Sequence, residues 1–132
     1  MTENEIAKEV VDAAYKIHVA LGPGLLESVY EVVLEYELKK RGLKVVRQVR
    51  MPVIYETVTL DDGYRADMLV GDKVIVELKS VEELAAVHKK QLLTYLRLAD
   101  KRLGLLINFG EVLLKRGISR IVNGLLEDST SA

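Results

Sequence analysis

Cysteine and tryptophan are absent from the 132 residues, phenylalanine occurs once and proline twice. Without cysteine there is no disulfide scaffold, no thiolate-held zinc or iron-sulfur cluster and no thiol nucleophile. Aromatic residues make up 5%, too few for a surface that grips single strands by stacking successive bases. No apolar run reaches the about 18 residues that span a membrane. The acidic start Met1-Thr2-Glu3-Asn4-Glu5 lacks the basic region of a secretory signal, so a soluble cytoplasmic protein is expected. A glycine-rich phosphate loop is missing as well, which disfavours a nucleoside triphosphatase. Nor does charge of one sign dominate: 19 basic residues face 20 acidic ones. A nucleic-acid partner must therefore be held by a local patch.

What is present reads as one domain over residues 1–126 with a disordered tail at 127–132. Ile6, Val10, Ala14, Ile17 and Leu21 recur at helical spacing behind a possible cap at Thr2 or Asn4, predicting a first helix from Thr2 to Leu21. Gly22-Pro23-Gly24 breaks it. A second helix is expected from about Leu25 to Arg41, with Leu26, Val29, Val33, Leu34 and Leu38 inward and Gly42 at its end. β-branched runs follow: Leu43–Val49, Pro52–Thr59, Tyr64–Val70 and Lys73–Lys79, punctuated by turn signals at Asp61-Asp62-Gly63 and Gly71-Asp72. They predict a β-meander. Helical spacing returns from Glu82 to Ala99, with Leu84, Val87, Gln91, Leu92, Tyr95 and Leu98 inward. The apolar run Leu103–Phe109 suits a strand inside the sheet. Glu111–Leu126 is expected to hold a short strand, a break at Gly117 and a final helical turn. The predicted class is α/β, a mixed sheet with a β-meander flanked by helices.

The chemistry concentrates in Tyr64–Ser80. Alternation puts Ala66, Met68 and Val70 on one face of one strand and Val74, Val76 and Leu78 on one face of the next. A hairpin centred on Asp72 opposes Ala66 to Leu78, Met68 to Val76 and Val70 to Val74, and the same register brings Asp67 opposite Glu77. A slip by one residue would mix apolar with polar faces, so the hydrophobic pattern selects the pairing that joins the acids. Opposed side chains stand about 4.5–5.5 Å apart at Cβ, and like charges so placed cost a few tenths to about 1 kcal/mol. A divalent cation compensates: Mg²⁺ is held by one or two carboxylates, with water and phosphate oxygens completing its shell. Lys79, next on that face, would orient a water or neutralise charge on phosphoryl oxygens. The competing reading is an ordinary solvent-facing strand carrying Asp, Glu and Lys.

Asp67 followed by Glu77-Leu78-Lys79 resembles the active-site signature of the PD-(D/E)XK nuclease superfamily. Gly24-Leu25-Leu26-Glu27-Ser28-Val29-Tyr30 matches the motif that names the GxxExxY family within it. The resemblance runs from the first helix to about Val122, through Val76–Lys79, His88–Gln91, Thr94-Tyr95-Leu96 and Leu105–Gly110. The proline of the superfamily's name is replaced by Ala66. The resemblance implies a restriction-endonuclease-like core in which Asp67, Glu77 and Glu27 hold the metal and Lys79 is the catalytic lysine. For Glu27, stabilisation of the helix dipole is the competing role. Gln91 and Tyr95, one turn apart, are similar to a Q-x-x-x-Y element beside the metal in some exonuclease branches. A backbone carbonyl is an equal partner for the Gln91 amide. His18 and His88 lie in no metal-ligating pair.

The expected activity is therefore hydrolysis of phosphodiester bonds of nucleic acid, DNA being the expected substrate, with Mg²⁺ as cofactor and Mn²⁺ as a substitute. The alternative is a non-catalytic nucleic-acid-binding or homo-oligomeric module on the same fold. A homodimer is a further expectation, a membrane partner is not. Lys39, Lys40, Arg41, Lys44, Arg47 and Arg50, with Lys89, Lys90, Lys101 and Arg102, are candidates for a phosphate-tracking rim or for solvated, aggregation-blunting positions.

Overall fold

The computed structural model describes residues 1–125; the expected tail lies outside the described residues. Two helices open the chain, α1 (Glu3–Leu21) and α2 (Glu27–Lys40). Then come β1 (Val45–Tyr55), β2 (Val58–Val70) and β3 (Val74–Lys79). After them stand α3 (Ala86–Ala99), β4 (Leu103–Asn108), a 3₁₀ turn at Leu114–Gly117 and β5 (Ile118–Val122). The five strands form one mixed sheet in sequence order, antiparallel throughout except for the parallel pair β3–β4. Helix α3 is the crossover that a parallel neighbour requires.

Each face of the sheet has its own core. Ile6, Val10, Ala14 and Ile17 of α1 and Tyr30, Leu34 and Leu38 of α2 pack with Met68, Val70, Val74 and Val76 on one face. Leu92 and Leu96 of α3 pack with Ile75, Leu106, Ala66 and Met51 on the other. Sandwiched between these layers, β4 is buried at every position, as its uninterrupted apolar run predicts. Helix α1 starts where a capping box forms: Glu5 N–H donates to the Thr2 hydroxyl at 3.2 Å and Thr2 N–H to the Glu5 carboxylate at 2.8 Å.

Several expectations are corrected. Asp61-Asp62-Gly63 is not a turn but part of β2. The β1–β2 register shifts between Met51 and Val53, from Met51–Tyr64 to Val53–Leu60, so these three residues bulge opposite Pro52 alone. Proline cannot donate to a ladder and sits naturally at such a bulge. The chain reverses at Glu56-Thr57 instead, where Glu56 takes φ 53°. Four predicted strands are thus three. Helix α3 begins at Ala86 rather than Glu82, because the preceding main chain is tied down: the Val81 amide donates to Asn108 Oδ1 at 3.0 Å and its carbonyl accepts from Asn108 Nδ2 at 2.9 Å.

In α2, Leu26 and Val29 are exposed, and the inward face is Tyr30, Glu31, Leu34, Glu37 and Leu38. Tyr30 sets this rotation: its ring stacks on Phe109 with centroids 4.3 Å apart, and its hydroxyl donates to Gly22 O at 2.5 Å. In α3 the buried positions are Leu92 and Leu96, whereas Val87, Gln91 and Leu98 are exposed. Ala66 joins the α3 side while Met68 and Val70 face α1 and α2, so the expected single face of β2 divides at Asp67. Towards the C-terminus the helical turn precedes the strand.

Candidate active site

The functional side chains gather where β2 and β3 part. Their ladder runs through Val70–Val74, Leu69–Ile75 and Met68–Val76, the register expected from the apolar pattern, and stops there. At the next step side chains replace main chain. Asp67 N–H donates to Glu77 Oε1 at 3.3 Å, and Leu78 N–H donates to Asp67 Oδ2 at 2.8 Å. Each acid thus closes a bond left open by the diverging strands, and the two carboxylates are held together. Opposite Asp67 on the other flank, Gln48 adopts φ 54°, and its position is missing from the β1–β2 register between Arg47–Met68 and Val49–Ala66. Both neighbours of this stretch of β2 are therefore loosened at one level of the sheet.

Glu77 is 8% exposed. Burial, the adjacent Asp67 charge and a side-chain hydrogen bond to Asp67 push its pKa from the usual carboxylate value up to about 9, partly offset by the Asp67 N–H and the Lys79 charge. At neutral pH the pair therefore retains a proton that a cation would displace. Lys79, two residues on along the same face of β3, is half-buried and is the ladder partner of Asn108 on β4. Asn108 is fully buried in an otherwise apolar strand, and its side chain holds both polar groups of Val81 and the Gly110 N–H. That clamp fixes the chain just after Lys79.

Tyr95 of α3 stacks on Tyr64 of β2, with centroids 3.6 Å apart and planes at 9°. Burial raises the pKa of each, and the Glu77 charge adds to both shifts. The two rings wall one side of the carboxylate pair. Tyr64 Oη donates to Tyr95 O at 3.0 Å, locking strand to helix. Gln91 is exposed one turn earlier, so its amide needs no internal partner.

Glu27 opens α2 and reaches the end of β3, its Oε1 accepting from Ser80 N–H at 3.4 Å. Ser80 Oγ donates to Leu25 O at 2.5 Å, and Leu25 N–H donates to Tyr30 Oη at 3.2 Å. Gly24, at φ 101°, occupies a conformation that glycine alone adopts freely. Gly24, Glu27 and Tyr30 therefore lock the α1–α2 turn onto the residues that follow Lys79. A cavity of about 190 Å³ is lined by Glu27, Ser28, Glu31, Gln48, Asp67 and Leu78. Beside it, sharing Glu27 and Ser28, lies a cleft of about 650 Å³ bordered by Leu25, Ser80, Val81 and Gly110.

Glu31, Gln48 and Tyr64 are site residues that sequence reasoning missed. Glu31 is buried and held by Gln48 Nε2 at 2.6 Å and Arg47 Nη1 at 3.4 Å. Its one signal was its place a turn after Glu27. Gln48 gave none beyond a polar residue among β-branched ones. Much of the expected basic rim is internally neutralised. Arg41 pairs with Glu9 and Asp12, Arg47 with Glu31 and Glu35, and Lys39 with Glu35. Arg50 pairs with Asp62, Lys101 with Asp72 and Arg102 with Asp100.

A family profile described as the PD-(D/E)XK nuclease superfamily matches residues 4–121. The chain belongs to the PD-(D/E)XK nuclease superfamily. No curated protein and no solved structure matches. Membership accounts for the mixed sheet with flanking helices. Nucleases of this superfamily act on nucleic acid and typically use divalent metals. Among the described residues no group of three or more His, Cys, Asp or Glu side chains forms a metal cage, and no helix is long and apolar enough to cross a membrane. The donor set nonetheless fits a hard cation. Two carboxylates bring four oxygens, of which Oε1 and Oδ2 accept backbone N–H bonds, and Asp67 lines a polar cavity that Glu27 and Glu31 also border.

Proposed function

We propose that this protein is a divalent-metal-dependent nuclease of the GxxExxY type that hydrolyses phosphodiester bonds of DNA. The observation that carries the reading is the reciprocal pair Asp67–Glu77, held by each other's backbone neighbourhood with Lys79 two residues on. A metal ion such as Mg²⁺, or Mn²⁺ in its place, would neutralise the phosphodiester and lower the pKa of an attacking water. Asp67 and Glu77 present carboxylate oxygens at fixed positions, since each carboxylate is anchored through one oxygen. Glu27 and Glu31 line the adjoining cavity, where Glu27 would serve as a further carboxylate for the same cation. Lys79 supplies positive charge to phosphoryl oxygens as they gain charge, or orients the water. Tyr64 and Tyr95 shield the carboxylates from bulk solvent, which strengthens every charge interaction inside. Gln91 stands at the solvent edge of that wall, available to a substrate phosphate. The interlocked Gly24, Glu27 and Tyr30 support the GxxExxY assignment.

The test is cleavage of labelled single-stranded, duplex and branched DNA and of RNA, with Mg²⁺, with Mn²⁺ and with chelator. The expected result is cleavage of DNA only with metal, reduced about 10²-fold or more in Lys79→Ala, whose fold is checked by circular dichroism. Full activity of folded Lys79→Ala would overturn the lysine's role. Metal-independent cleavage would overturn the mechanism, and absence of any cleavage or metal effect would leave the non-catalytic module as the reading.

A further inference from the structure

Beyond the buried Met51, the outer half of the β1–β2 hairpin is an exposed ribbon. Strand β2 pairs with β3 only at Met68–Val70, so residues 52–63 have only each other as neighbours in the sheet. Cross-strand pairs Val53–Leu60 and Tyr55–Val58 put four apolar side chains on one face of this ribbon. Tyr55 is 71% exposed, Leu60 58% and Val58 54%. A two-stranded ribbon is marginal in water by itself, and an exposed apolar patch of this kind marks an interaction surface. The segment also carries Glu56, Asp61 and Asp62 and no lysine or arginine, a composition unsuited to a phosphate backbone.

The complementary surface is on the same chain. Around the start of α3 and the 3₁₀ turn, Lys89, Lys90 and Arg116 line a cleft of about 610 Å³ together with Leu84, Glu83 and Glu111. Exposed Val87, Val112 and Leu113 lie beside them. Among the described residues, Lys89, Lys90, Lys115 and Arg116 make no ion pair and no side-chain hydrogen bond, unlike the neutralised cations of α2 and β1. The ribbon extends from the β1–β2 side of the sheet, whereas the patch, through Ser119, adjoins the β5 edge, four strand spacings or about 19 Å away.

We infer that the chain forms a two-fold dimer in which the ribbon of each copy docks on the α3–3₁₀ patch of the other. Tyr55, Val58 and Leu60 meet Val87, Val112 and Leu113, and Glu56 and Asp61 meet Lys89 and Lys90. Two-fold exchange forms this contact twice, which doubles the area that a single small ribbon would bury. The inference is independent of the catalytic reading.

The experiment is light scattering behind size exclusion across a concentration series. Wild type is expected at twice the 14.8 kDa chain mass. Tyr55→Lys with Leu60→Lys, both at exposed positions, is expected to be monomeric with an unchanged circular dichroism spectrum. Glu56→Lys with Asp61→Lys, and separately Lys89→Glu with Lys90→Glu, are each expected to weaken the dimer about tenfold or more. An equimolar mixture of the two charge-reversed proteins is then expected to regain association, because one of the two contacts in the mixed dimer has matched charges reversed on both sides. A monomeric wild type, a dimer indifferent to the ribbon substitutions, or no recovery in the mixture would overturn the proposal. So would a patch whose reversal affects only binding of a DNA probe.

Discussion

The inner strands β3 and β4 and the outer ribbon of residues 52–63 are parts of one sheet, rich alike in aliphatic side chains, with opposite surroundings. Covered on both faces, the inner strands are buried at nearly every position. Their informative residues are the polar ones, Glu77 and Asn108. In the ribbon almost every residue is exposed, and the informative residues are the apolar ones, Tyr55, Val58 and Leu60. A buried acid and an exposed aromatic are both out of place by solvation alone. The first points to a ligand that repays the burial of charge, the second to a surface that covers it.

That contrast can be broken first at Glu77. Its carboxyl keeps a proton in the folded protein up to about pH 9, whereas the unfolded chain releases it in the ordinary carboxylate range. Between these limits the folded state binds more protons, so its stability falls as pH rises. Denaturant unfolding of the metal-free protein at several pH values should show this decline, and Glu77→Gln should flatten it. Saturating Mg²⁺ should reduce the loss at the alkaline end, since binding to the folded state alone offsets it. Stability that rises through this window would contradict the assigned environment of Glu77.

Next in size, Asn108→Ala should cost about 2 kcal/mol in global unfolding, because the Val81 and Gly110 main-chain groups lose their partner inside the protein. The exposed ribbon substitution Ile54→Thr should stay within about 0.5 kcal/mol. Equal costs would erase the distinction between the two regions. A smaller and more local effect than that of Asn108→Ala should come from Gly63→Ala. A Cβ there would overlap the side chain and amide of Val53 across the bulge, which should unfasten the ribbon locally by about 1 kcal/mol. Faster hydrogen exchange of ribbon amides with unchanged exchange in β4 would show it, and uniform change in both regions would speak against a separately unfolding ribbon.

Much of this was legible in the residues. The apolar alternation of Met68, Val70, Val74 and Val76 carried the hairpin register, and with it the meeting of Asp67 and Glu77. The continuous run Leu103–Phe109 announced a strand covered on both sides. The ribbon was not legible, because Asp61-Asp62-Gly63 has the composition of a turn and becomes a bulge only through its pairing with Pro52. The start of α3 was hidden for a similar reason: the hold of Asn108 on Val81 is a contact across 27 positions that no local pattern contains. Glu31 and Gln48 escaped because their place beside Asp67 depends on how α2 lies on the sheet. Leu26 and Val29 misled because helical spacing gives a face without its absolute rotation, which Tyr30 and Phe109 set.

Isothermal titration of Mn²⁺ into the wild-type protein, Asp67→Ala and Glu77→Gln tests the central claim most directly. Binding to wild type that strengthens as pH rises and is lost in both variants is the predicted result. Equal binding by all three proteins, or none by wild type, would contradict a cation held between these two acids.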